Sequence, residues 1–242
     1  AALKASLLRE NTKVVIALGR QGMNTAAALH NGIGILVGGV LTVPESDARS
    51  QPVISLTPDP ALLFARMKAL MPETKRDFVV YDPVFNEWLI KLAREAARAQ
   101  GLELVAYEAQ DLRSAVRHYQ QIFSTIDGRS DVLWLPQDYT TVEESSVLPM
   151  VLQESWNRDI AVFSSNSAHV RRGVLFSLYP DNLGLGNTLA ELALGYLRSE
   201  EYGKSGMMPL RDVQSAVNLR TAKHLRLKPG RVQDYDTTFP EQ

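Results

Sequence analysis

The chain of 242 residues is predicted to be an α/β protein built from doubly wound parallel sheets. Two observations predict it. Short β-branched runs alternate with longer helical patterns, and several of those runs are apolar throughout. Parallel strands covered on both faces have that character, whereas half-exposed strands alternate apolar and polar residues. The βαβα rhythm fits one such sheet or two. A (β/α)8 barrel also alternates, but it is usually larger and more even.

The strand candidates, in order, are KVVIAL (13–18), GILVG (34–38), PVISL (52–56), DFVVY (77–81), LELVAY (102–107), DVLWL (131–135), IAVFS (160–164), GVLFSL (173–178) and VQSAVN (213–218). The clearest helix runs from Val84 to Gln100, with Trp88, Leu89, Leu92 and Ala96 on one side and Gly101 as its stop. Others are expected over 23–30, 58–70, 111–123, 141–156 and 182–199, and AALKASLLRE at the start reads as an amphipathic helix. In YDPVF (81–85), Pro83 stops a strand, which marks a candidate hinge.

Apolar residues make up 45% and charged residues 22%, ordinary for a globular protein, and the net charge of −1 implies no nucleic-acid-binding face. The longest strongly apolar stretch, GIGILVGGVL (32–41), is far shorter than the roughly 20 residues of a membrane helix, so no membrane span is expected. There is no cysteine, which excludes disulfides, thiolate catalysis and cysteine-ligated zinc. His30, His118, His169 and His224 show no metal-ligand spacing. No metal, cofactor or catalytic set is expected.

In open α/β sheets, ligands bind beyond the carboxyl ends of the strands. GRQG (19–22), with Arg20 and Gln21, follows the first strand and precedes a helix, so it is either a carboxylate or phosphate cradle or a tight turn. It lacks the pattern of a P-loop and the third glycine of a dinucleotide fingerprint. Tyr81 and Asp82 end another strand. In PQDYTTVEES, Thr141 with Glu144, or Thr140 with Glu143, reads as a helix cap. That leaves Asp138 and Tyr139 as turn or site. Ser164, Ser165 and Asn166 follow the next strand, and Tyr179 and Asn182 the one after. A hydrolase would need a reactive serine at Ser164 or Ser165, yet no GxSxG elbow surrounds them. Loops rich in Asp, Asn, Ser, Thr, Tyr and Arg suit a zwitterionic or polyhydroxylated small molecule.

From about Leu70 to Pro229 the order of motifs is recognisable: LMPETKRDFVVYDP, ARAQGLELVAYEAQ, DVLWLPQDYTTV, IAVFSSNSAHVRRGVLFSLYPDNLGLGNTLAELALGYLRS and SAVNLRTAKHLRLKPG. The chain resembles the ABC-transporter substrate-binding family associated with tryptophan and tyrosine uptake, of type I periplasmic-binding-protein fold. The resemblance implies two doubly wound lobes joined by a three-segment hinge, residues 1–81 plus 179–208 and residues 82–178 plus 209–242. The family's usual first strand and helix do not occur in this chain, so the first lobe is expected to be truncated. The resemblance further implies a small amino-acid-like ligand closed between the lobes, no catalysis, a periplasmic or other extracytoplasmic location, and an ABC permease as partner. A sensing module regulating a membrane signalling partner is the alternative. The family's Thr-Asp-Pro stands here as Thr42, Val43 and Pro44, and the Asn of its Asp-Asn-Thr as Tyr139.

Overall fold

The computed structural model describes residues 2–29, 32–43, 48–49, 51–199 and 205–240. The chain divides into two compact units, 1–56 with 180–212 and 57–179 with 213–242, and so passes between them three times.

In the first unit, α1 (Ala2–Arg9) leads into β1 (Val14–Leu18), α2 (Gly19–Ala26) and β2 (Gly34–Val40). Next comes β3 (Pro52–Pro58), whose last two residues belong to the second unit. After the second unit's main body, α8 (Asn182–Ser199) and β9 (Gly206–Leu210) return to the first. The strand order is β1-β2-β3-β9, with β1, β2 and β3 parallel. Leu36 and Val37 are fully buried, as the continuous apolar run of β2 requires. Gly38 lets α8 pack closely: a Cβ there would lie 2.6 Å from Leu189 Cδ1, so a larger residue would require the Leu189 side chain to shift.

The second unit contains α3 (Pro60–Leu70), β4 (Arg76–Tyr81), α4 (Pro83–Ala99), β5 (Glu103–Glu108) and α5 (Leu112–Thr125). It continues with β6 (Asp131–Leu135), α6 (Val147–Asn157), β7 (Ala161–Ser164), α7 (Ser167–Arg172) and β8 (Phe176–Pro180), whose last residue belongs to the first unit. β10 (Val213–Asn218), α9 (Leu219–His224) and β11 (Thr237–Phe239) complete it. The strand order is β11-β10-β8-β7-β6-β4-β5. Adjacent strands from β5 to β8 pair in parallel.

The two-residue period of a strand sends alternate side chains into different cores. Val79, Tyr81, Val132 and Trp134 pack with Leu63, Phe64, Leu89 and Ile90 of α3 and α4. Phe78, Val80, Leu133 and Leu135 pack with Tyr119, Ile122, Leu148 and Val151 of α5 and α6. The sheet is therefore covered on both faces, which explains its apolar runs. Phe64 meets the edge of Trp134 at 5.7 Å, and Phe163 stacks on Phe176 at 5.2 Å, in the favoured aromatic geometries.

All nine expected strands form, but several boundaries move. The strand expected over 173–178 begins at Phe176, because the N–H groups of Gly173 and Val174 close the end of α7 on the carbonyls of Val170 and His169. The helix expected from residue 141 starts at Val147. The helix expected over 23–30 starts at Gly19, so GRQG is its first turn rather than a loop before it, and His30 lies outside the described residues. The expected lobe boundary and hinge at 81–85 fall inside the second unit, where β4 is hydrogen-bonded between β5 and β6. The first passage comes at Leu56–Thr57 instead.

Candidate ligand-binding site

β4 leads outward to β5 on one side, and the chain then crosses back to β6 on the other. The gap between the carboxyl ends of β4 and β6 is therefore the topological switch point, where adjacent connections diverge and leave room for a ligand. Asp82 follows β4, and PQDYTT follows β6.

One carboxylate ties these two ends together. Asp138, 6% exposed, accepts the Asp82 N–H at 2.7 Å and the Asn86 amide at 2.8 Å on one oxygen. Its other oxygen accepts the N–H groups of Thr140 at 2.9 Å and Thr141 at 3.0 Å. Four donors satisfy both oxygens, as a buried polar group requires. Asp82 caps α4 by accepting the Val84 N–H at 2.9 Å, and its second oxygen accepts the Thr140 hydroxyl at 2.9 Å. Thr141, fully buried, donates its hydroxyl to the Val80 carbonyl at 3.0 Å. Around this clasp the Tyr139 ring is left 77% exposed.

Neither expected Thr–Glu pair forms a capping box. Asp138 closes a turn, and Glu143 then serves the start of α6 by accepting from the N–H and hydroxyl groups of Ser145 and Ser146. Those donors push the Glu143 carboxyl down to about 2.

The other residues expected at strand ends divide by burial. Tyr81 is 1% exposed, its hydroxyl set between Glu87 at 2.9 Å and Glu108 at 3.2 Å; burial, then the Glu87 carboxylate, pushes its pKa upward. Ser164 and Ser165 are 0% and 1% exposed. Ser164 Oγ lies 3.1 Å from the Leu135 carbonyl and 2.9 Å from His169 Nδ1, and it accepts the Asn166 N–H at 3.0 Å. Burial lowers the pKa of His169 and favours its neutral form. A proton on Nδ1 directed at Ser164 leaves the Ser164 hydroxyl free to donate to Leu135, so every partner is matched. The Ser165 hydroxyl accepts from Trp134 Nε1 at 3.1 Å. Neither serine is open to a substrate. Asn166, half-buried, caps α7 through Ala168 N–H at 3.0 Å, and the half-buried Tyr179 hydroxyl lies 3.0 Å from that of Thr237.

In the first unit Arg20, Gln21 and Asn182 are exposed. Arg20 donates to the Thr42 carbonyl at 3.3 Å. Val43, where the resembled pattern has Asp, is 2% exposed, and Pro44 lies outside the described residues. Asn86 escaped sequence reasoning, Thr141 was read only as a helix cap, and His169 only as a histidine without metal-ligand spacing. A polar side chain in the first turn of α4 was the available signal for Asn86.

Among the described residues, no cluster of His, Cys, Asp and Glu could hold a metal ion, and no helix is long and apolar enough to cross a membrane. Two units with parallel-strand sheets, a chain passing three times between them and polar loops at a switch point define the type I periplasmic-binding-protein class of fold. Within that class the chain belongs to the ABC transporter substrate binding protein family, whose model matches residues 63–231. Solved structures agree on the fold. A conserved domain protein from Vibrio cholerae is 19% identical with a TM-score of 0.60, the match covering 98% of this chain and 82% of that one. An ABC domain from Streptococcus pneumoniae in complex with L-Trp is 15% identical, TM-score 0.62, with the same coverage of both chains. A substrate binding protein with adhesive properties from Clostridium difficile, in a ligand-free, open structure, is 18% identical with a TM-score of 0.66, covering 98% of this chain and 81% of that one. No curated protein matches the chain.

Proposed function

We propose that the chain captures a small polar or aromatic, amino-acid-like molecule outside the cytoplasm and delivers it unchanged to the permease of an ABC importer. Tyr139 carries this reading. A large aromatic side chain, 77% exposed, sits on a turn whose next two N–H groups are held by the Asp138 carboxylate at the switch point. Backbone held in that way need not be ordered when a ligand stacks on the ring. Membership of the family and the L-Trp bound by the Streptococcus protein support the ligand class.

Tyr139 and Thr140 are assigned to ligand contact, with Asn166 and Tyr179 beside them. Tyr81, Asp82, Asp138, Ser164 and Ser165 are assigned to holding those loops, since they are buried as well as hydrogen-bonded. Arg20, Gln21, Thr42 and Asn182 are proposed as contacts contributed by the first unit. Thermal denaturation against a panel of amino acids and nucleosides tests the ligand class. A ligand at about 100 times its Kd adds about 2.7 kcal/mol of stability. A panel in which no compound raises the Tm contradicts the proposal. A permease and ATPase encoded beside this chain would support transport, and a membrane kinase or cyclase there the sensing alternative.

A further inference from the structure

A cavity of about 670 Å³ opens at the other end of the second unit's sheet, within the ~300–1,000 Å³ usual for small-molecule sites. Its place follows from the chain. Ile160 and Gly173 in its wall precede β7 and β8, whereas the candidate site follows β4, β6 and β7. Asn218, the last residue of β10, also lines it and donates its N–H to the Leu175 carbonyl, just before β8, at 2.8 Å.

The lining is one-sided in charge. Arg171, Arg172 and Arg220 contribute to it, and no Asp or Glu does. Arg172 is engaged by Glu144, through the carbonyl at 3.0 Å and the carboxylate at 3.9 Å. Among the described residues Arg171 and Arg220 have no carboxylate partner. Arg171 lies over the Phe239 ring at 5.3 Å, and Arg220 over Trp156 at 5.8 Å. The carbonyl end of α7 attracts Arg171 and Arg172, which explains their position without any ligand. It does not explain Arg220, which stands in the first turn of α9, the end of a helix that disfavours a cation. Leu152, Ile160, Val162 and Leu225 supply apolar wall to the same cavity.

Planar guanidinium forks match carboxylate and phosphate oxygens in pairs, and an apolar wall receives the body that carries them. We propose that this cavity binds a small organic anion, a carboxylate or phosphate on an aromatic or aliphatic body, at a site separate from the switch point. Calorimetric titration of the whole chain with benzoate and with phenyl phosphate tests it, with benzyl alcohol as the uncharged control. At least one anion is expected to bind saturably with a Kd below about 1 mM, and the alcohol not to bind. Binding of benzoate alone identifies a carboxylate site, and of phenyl phosphate alone a phosphate site. An Arg171→Ala, Arg220→Ala double variant is expected to lose affinity at least tenfold, whereas Tyr139→Ala keeps it. If the double variant melts early, Arg220→Gln alone, at an exposed side chain, gives the same comparison. The proposal is overturned if neither anion binds, or if binding survives the arginine changes.

Discussion

Asp138 and Tyr139 are neighbours with opposite roles. The Asp138 carboxylate is buried under four donors, so Asp138→Ala strands the N–H groups of Asp82, Thr140 and Thr141 and the Asn86 amide. Each buried group left without a partner is costly, and a loss of about 2–4 kcal/mol is expected in chemical denaturation. Tyr139→Ala removes an exposed ring and should change stability by less than about 0.5 kcal/mol. A similar loss from both changes would contradict this division. Asp77 makes a second case. It is fully buried, and among the described residues neither of its carboxyl oxygens has a hydrogen-bond partner, so burial pushes its pKa well upward. The native state then keeps a proton that the unfolded chain releases above about pH 4, and stability falls as pH rises from there. Asp77→Asn should raise the Tm at pH 7.5, with a smaller gain at pH 4.5; a gain equal at both would contradict the assignment. Of these residues, sequence alone marked Asp138 and Tyr139 as turn or site. It could not tell them apart, because two of the donors that bury Asp138, the Asp82 N–H and the Asn86 amide, come from far along the chain.

The start of α6 shows how element boundaries escape sequence. Two Thr–Glu spacings promised a cap at residues 140 or 141, but the Asp138 turn uses those N–H groups first and the helix waits until Val147. Glu143 then holds Ser145 and Ser146. Because its folded pKa is pushed down to about 2, its contribution is present above the unfolded value near 4.3 and fades as pH falls toward 2. Glu143→Gln should lower the Tm at pH 7, and the deficit should shrink between pH 4 and pH 2; a deficit independent of pH would contradict the cap. The long strands were legible because burial on both faces made them continuously apolar. β9 and β11 were missed: β9 is mostly half-buried, and β11 has three residues, paired to β10 alone. α7 and α9, six residues each, are too short to show a helical period.

At the scale of the whole chain, two units and three passages were legible from the order of motifs, while the first boundary was displaced from Leu56–Thr57 to Tyr81–Asp82. Pro83 looked like a hinge but serves as the first residue of α4, where its missing N–H costs nothing. The family fixes the general role as binding a solute. The feature on which the proposed binding rests is the exposed Tyr139 on its clasped turn at the β4–β6 switch point. Calorimetric titration of the wild type and of Tyr139→Ala with each amino acid or nucleoside that raises the Tm is the most direct test. The account predicts a saturable one-to-one heat in the wild type and an affinity at least about tenfold weaker in the variant, a difference of 1.4 kcal/mol. Equal affinity in both, or no saturable heat with any compound, would contradict it.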